Sequence, residues 1–147
     1  MRNERDVAEW TRLADMDVLS ANHLNEIRHP KPLEMICYHC QQAAEKMLKA
    51  LALAHDGEIQ RTHDLGMIAD DLSEFVSFPE DVLNSAADLT PYAVRVRYPQ
   101  DLRVEEAHVV KALSDMKKVY DFAANELNKM RVTEKEEDSD SHEAKQS

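Results

Sequence analysis

Leu33-Glu-Met-Ile-Cys-Tyr-His-Cys-Gln-Gln-Ala-Ala-Glu-Lys-Met-Leu-Lys-Ala-Leu51 sets the fold of this 147-residue chain. Leu33, Ile36, Cys37, Cys40, Ala44, Met47, Leu48 and Leu51 recur at steps of three and four, which puts them on one stripe of an α-helix. The other face carries Gln41, Gln42, Glu45, Lys46 and Lys49, with Glu45 four residues ahead of Lys49 in the favourable order for a surface pair. Gly57, after His55-Asp56, is suited to a left-handed cap at the helix end.

On the N-terminal side, Val7, Trp10, Ala14, Val18, Ala21 and Leu24 form a second stripe. It ends before His29-Pro30-Lys31-Pro32, because proline lacks an amide donor and pushes the preceding residue out of the helical region. On the C-terminal side, Leu65, Ile68, Ala69, Leu72 and Val76 give a shorter stripe, with Thr62 as its expected N-cap. Pro79-Glu80-Asp81 reads as a helix start, with Pro at the first helical position and acids near the positive dipole end. That helix runs to about Leu89, breaks at Thr90-Pro91 and resumes from Tyr92 to Val96. Val109, Leu113, Met116, Tyr120, Ala123, Leu127 and Met130 then mark a long last helix. Residues 133–147 hold no large apolar side chain and are expected to be a disordered acidic tail. The fold class expected is all-α, an antiparallel up-and-down bundle of four long helices and one short one over residues 1–132.

Composition narrows the function. Lys and Arg number 18 against 29 Asp and Glu, a net charge of -11, and Gly57 and Gly66 are the only glycines. A general polyanion-coating surface needs uncompensated bases, so broad DNA binding is not expected. Two isolated glycines cannot build a phosphate-cradling loop of the P-loop or dinucleotide-fold kind. The charge is uneven, however. Residues 56–90 hold Arg61 against nine acids, a net of -8, while residues 91–132 are net +2. One compact anion site therefore remains open. Cys37 and Cys40 lack a second pair and lie on the apolar stripe, which favours buried core over a metal site. No apolar run reaches the roughly 18 residues of a membrane span and the start lacks a signal core, so a cytoplasmic chain is expected.

Three blocks in order, Cys37 to Leu51, Arg61-Thr-His-Asp-Leu65 and Ala93-Val-Arg-Val-Arg-Tyr-Pro99, resemble the HEPN family, named for higher eukaryotes and prokaryotes nucleotide-binding. The resemblance implies a helical bundle, usually a homodimer, often encoded beside a small nucleotidyltransferase. It also implies one of two chemistries. Many members resemble metal-independent ribonucleases whose Arg and His lie four to six residues apart and meet at the dimer interface, while others lack that pair and look like partner modules.

Arg103 and His108 meet the ribonuclease spacing, with His108 suited to general acid or base chemistry and Arg103 to stabilising phosphate charge. On a straight helix the two side chains would stand roughly 140° apart, so convergence requires Arg103 to precede the helix start or a dimer mate to complete the site. The ribonuclease motif also has a polar residue after its Arg, where this chain has Val104. Arg95, Arg97 and Tyr98 form a second candidate, two guanidiniums for phosphate and a ring for stacking or hydrogen bonding. The competing reading pairs the two arginines with acids of residues 64–88. His63 is the third, lining a pocket with Arg61, Lys46 and Lys49, against a plain capping cluster built on Asp64. His39 suits a polar contact and Asp17 a base on another helix. The leading expectation is a nucleotide-associated partner of a small nucleotidyltransferase in a toxin–antitoxin-like pair, homodimeric, without its own catalysis and without cofactor or metal. The alternatives are a metal-independent endoribonuclease using Arg103 and His108, and a purely structural dimerisation module.

Overall fold

The computed structural model describes residues 3–27, 29–95 and 103–146. The elements are α1 (Glu4–Ile27), α2 (Leu33–Ala54), α3 (Leu65–Leu72), α4 (Glu80–Leu89), α5 (Tyr92–Arg95) and α6 (Glu106–Gln146), with no strand among the described residues. The chain is an all-α bundle. Its long members are α1, α2 and α6; α3 and α4 reach only 8 and 10 residues. The chain leaves α3 one residue past its last buried Leu72, and Pro91 follows directly on the residue that caps α4.

The centre of the bundle is α2, which packs against α1, α3, α4, α5 and α6, while α4 also lies along α6. From Ile36 to Ala54 no residue of α2 is exposed. The apolar stripe is where the periodicity puts it: Ile36, Cys37, Cys40, Ala44, Met47, Leu48 and Leu51 are fully buried. Each large side chain among them contributes about 1.5–3 kcal/mol on leaving water. The opposite face does not follow the expectation. Gln41, Glu45 and Lys49 are buried too, because a helix with neighbours on every side has no solvent face to give them.

The flanking helices meet α2 through small residues. Val7, Ala14 and Ala21, one every seven residues, are the buried apolar positions of α1, with Trp10, Val18 and Leu24 at the edges. On α6 the buried seam is Val109, Ala112, Met116, Val119, Ala123 and Leu127. Leu113 and Tyr120, expected at its centre, sit on its margin, so the helix is turned by about one residue from the reading of large side chains alone. The helical backbone continues to Gln146 through the acidic stretch assigned by composition to a disordered tail. Its Glu, Lys and Ala are good helix formers, and no Gly or Pro follows Pro99 to stop it.

Two local details also depart from the sequence reading. At the end of α2 the left-handed residue is Asp56, with φ 60°, and not Gly57. The Asp56 amide donates to the Leu53 carbonyl at 3.0 Å and the Gly57 amide to the Ala52 carbonyl at 2.8 Å, a Schellman closure one residue earlier than expected. The N-cap of α3 is Asp64, whose carboxylate accepts the Met67 amide at 3.2 Å; Thr62 instead accepts the Asp64 amide at 3.0 Å.

Candidate functional site

The polar groups on α2 form two carboxylate clusters of matching composition. In the first, buried Glu45 accepts from Lys49 Nζ through Oε2 at 3.1 Å, and its Oε1 lies 3.0 Å from Gln41 Nε2 and 2.7 Å from His63 Nδ1. Gln41 also reaches the His63 carbonyl at 3.4 Å and accepts from Gln42 at 2.7 Å. Lys49 lies over the Trp10 ring, 5.9 Å from its centroid, so its charge has an aromatic face as well as a carboxylate. In the second cluster, Asp17 of α1 contacts His39 Nδ1 at 2.8 Å and Lys46 Nζ at 2.5 Å. Each cluster satisfies one acid with one lysine and one imidazole, which is what a poorly hydrated carboxylate requires.

This geometry revises the expected basic face. Lys46 belongs to the α1–α2 seam with Asp17, and Lys49 is buried against Glu45, so the two do not present a shared pair of free cations. The reason is the central position of α2. Of the four groups expected together, His63, Arg61, Lys46 and Lys49, only His63 and Lys49 meet, through the carboxylate between them. The Glu45–Lys49 pair is as the spacing predicts, although it is buried; the links of Gln41 and Glu45 to His63 are not in the sequence reading. Gln41, Glu45 and Lys49 repeat every four residues on the same polar face as Gln42 and Lys46, so the sequence aligns them along the helix without marking them as buried.

His63 differs from its partners in being open to solvent, with 61% of its side chain exposed. Its loop is nevertheless pinned. Thr90 Oγ1 accepts the Leu65 amide at 3.1 Å, tying the start of α3 to the end of α4, and the Thr62 and Asp64 contacts brace the residues between. A carboxylate can only accept, so the bond to Glu45 puts a proton on Nδ1 and leaves Nε2 for another partner.

Arg103 and His108 are both exposed at the start of α6. Arg103 lies before the helix, so the 140° separation of a continuous helix does not apply. His108, at the third helical position, accepts the Glu105 amide through Nδ1 at 2.9 Å, the back-reaching half of a capping box. Val104 is buried in the core, which accounts for an apolar residue after Arg103. Arg95 ends α5, with only its backbone described, and Arg97 and Tyr98 lie outside the described residues.

A further buried acid escaped the sequence reading. Asp115 accepts from Ser85 Oγ at 2.9 Å and from Lys111 at 2.8 Å, and Lys111 also reaches Asp88 at 2.8 Å, joining α4 to the first turns of α6. These hydrogen bonds hold the Lys111 ammonium above its ordinary range, Asp115 contributing most. Cys37 and Cys40 are buried as expected, and burial pushes the Cys40 thiol well above the usual range, away from thiolate chemistry. Among the described residues no group of three or more His, Cys, Asp or Glu is arranged to hold a metal ion, and no helix is long and apolar enough to cross a membrane.

A family model described as HEPN domain matches residues 7–141. The fold is similar to that of TT1696 from Thermus thermophilus, at 26% identity and a TM-score of 0.72, over 82% of this chain and 97% of that one. It is also similar to ST0689, described as an archaeal HEPN homologue, at 21% identity and a TM-score of 0.66, over 81% of this chain and 95% of that one. Among curated proteins no match was found. With the family model spanning nearly all of the bundle, and the three sequence blocks falling on α2, the loop before α3 and α5 onward, the chain belongs to the HEPN domain family.

Proposed function

We propose that this chain is a nucleotide-associated partner module without catalysis of its own, working as a cytoplasmic homodimer beside a small nucleotidyltransferase in a toxin–antitoxin-like pair. One observation carries the non-catalytic part of this reading, the hydrogen bond from the Glu105 amide to His108 Nδ1. A ring accepting at Nδ1 has its proton on Nε2. The lone pair of that ring is engaged by the helix cap, which leaves no acceptor nitrogen for the proton of a 2'-hydroxyl. Family membership supports the nucleotide association, and the net basic stretch of residues 91–132 supplies positive charge for it.

A metal-independent ribonuclease is the second reading, and one observation favours it. Arg103 precedes α6, so its side chain is free of the helix geometry that would otherwise separate it from His108.

The two readings part in one experiment. The purified chain, His108→Gln and His108→Ala are incubated with RNA in chelator, and each is tested for co-purification with the nucleotidyltransferase of its own genome. Gln retains an acceptor at the capping position and lacks imidazole chemistry. The partner reading expects no cleavage by any of the three and retained association. Cleavage by the wild type that disappears in the Gln variant overturns it in favour of the ribonuclease.

A further inference from the structure

Leu65, Ile68, Ala69, Leu72 and Val76 turn α3 and the residues after it toward α2 and α4, which leaves Met67, Asp70, Asp71, Glu74 and Phe75 exposed on the other side. A hollow of about 300 Å³ opens there, walled by Ala52 at the end of α2 and by Leu72, with Glu58, Asp71, Glu74 and Phe75 around it. No base lines the hollow, and its three carboxylates have no ion-pair partner among the described residues. Phe75 adds a second preference. Its ring is 50% exposed and is held from one face by the stacked ring of His55. An aromatic surface beside carboxylates suits a guanidinium, which is planar and weakly hydrated, stacks on rings and offers carboxylates two parallel donors, more than it suits an ammonium. A second hollow, of about 450 Å³, shares Glu74 and Phe75 and continues over Val76, Phe78 and Leu83. Phe75 therefore stands between an acidic hollow and one walled in part by apolar side chains. A small cation fills only the first; a protein segment with an arginine beside an apolar residue fills both. Residues 56–90 carry -8 of the chain's -11, so the field over this face draws in a basic segment and repels an acidic one.

We propose that the hollow beside α3 receives an arginine side chain from a basic segment of a partner protein, the guanidinium stacked on Phe75 and held by Glu58, Asp71 and Glu74. The inference rests on the partner reading and assigns the surface that the partner covers. Met67, one helical turn before Asp71 on the same exposed face, and Phe75 give that surface apolar contact area, and the acids give it selectivity for a basic occupant. Arginine and aromatic side chains seated in pockets are where interfaces concentrate their affinity, so the hollow is the anchor of the contact and the rest of the face its margin.

The test has two arms. The full chain, with alanine, leucine and phenylalanine isotope-labelled, is titrated by NMR with N-acetyl-arginine amide, its lysine and citrulline counterparts, and spermidine. The expected result is a saturable shift at Ala52, Leu72 and Phe75, tighter for arginine than for lysine, absent with citrulline, and weakened severalfold between about 50 mM and about 500 mM salt. Phe75→Leu should bring arginine down to the level of lysine. In the second arm, affinity for the nucleotidyltransferase of the same genome is measured for the wild type, for Asp71→Lys with Glu74→Lys, and for Glu136→Lys with Glu137→Lys, an equal charge change at exposed positions of α6. The reversal beside α3 should cost about tenfold or more and the one on α6 less than about threefold, with the three melting temperatures alike. Signals unmoved by arginine, equal shifts with citrulline, spermidine binding more tightly than arginine, or equal losses from the two reversals overturns the proposal. A chain that takes arginine into the hollow but binds no nucleotidyltransferase sinks the choice of that partner alone; one that binds the transferase undiminished by the reversal beside α3 sinks this inference alone.

Discussion

Glu45 and Lys49 are paired at 3.1 Å inside the protein, their side chains 5% and 8% exposed. Removing one partner of a buried pair strands the other charge at a cost of about 3–5 kcal/mol, whereas replacing both with apolar side chains of similar size is often neutral. Glu45→Ala is therefore expected to lower unfolding stability by about that amount. Glu45→Leu combined with Lys49→Met should recover most of the loss. Urea titration of the three chains checks it; equal stability of Glu45→Ala and wild type would show that Lys49 finds water or another partner.

The turn after α2 gives an opposite pair of effects. A Cβ on Gly57 would stand 3.0 Å from the Ala52 carbonyl oxygen, which is backbone and cannot swing aside. Gly57→Ala should cost about 1 kcal/mol. Asp56, left-handed at φ 60°, should tolerate glycine, with Asp56→Gly raising stability by about 0.5–1 kcal/mol less the loss of its exposed contact with Asn3. Thermal melts of the two variants should move in opposite directions.

His55 provides a pH dependence. Its ring stacks on Phe75, centroids 5.1 Å apart and planes 11° from parallel, and its buried Nε2 has no hydrogen-bond partner among the described residues. Burial pushes its pKa below the ordinary value, against the smaller opposing pull of Glu126 and Asp56. The unfolded chain then binds the proton first, so this residue's contribution is intact above about pH 6.5 and declines as pH falls below it. His55→Phe keeps a stacked ring without the titration. The urea midpoint of the wild type should fall more than that of the variant between about pH 7.5 and about pH 5.5.

At alkaline pH the sensitive contact joins α1 to α6. The Tyr120 hydroxyl donates to Asp15, and burial together with that bond pushes the phenol up to about 12. The folded state holds this proton where the unfolded chain has lost it, so the contribution is complete below about pH 10 and is lost as pH rises through about 12. Tyr120→Phe should reduce stability near neutral pH by about 1 kcal/mol and flatten the alkaline limb. Denaturation at successive pH values, with ultraviolet titration of the phenols, measures both.

The local elements were readable because their causes are local. Spacing of three and four located α1 and α2, the prolines at 30 and 32 separated them, and Thr90-Pro91 marked the break between α4 and α5. The candidate site was readable in part. His63 and Asp64 stood out as a polar loop beside a helix start, but the link to Glu45 spans 18 residues and no periodicity registers it. The spacing of Arg103 and His108 was visible, whereas the use of His108 as a cap depends on where α6 begins.

Hydrophobic period, proline placement and three short motifs were enough to establish an all-α chain of the HEPN family with most of its helices in place. Which faces are dry was set by packing. With α1, α3, α4, α5 and α6 all against α2, Gln41, Glu45 and Lys49 lost the solvent that a two-sided helix would have given them. Charges deprived of water must find counter-charges, and that requirement gathered Lys49, Glu45 and His63 into one cluster. The number of neighbours around a helix is a property of the assembled bundle, so no stretch of sequence carries it.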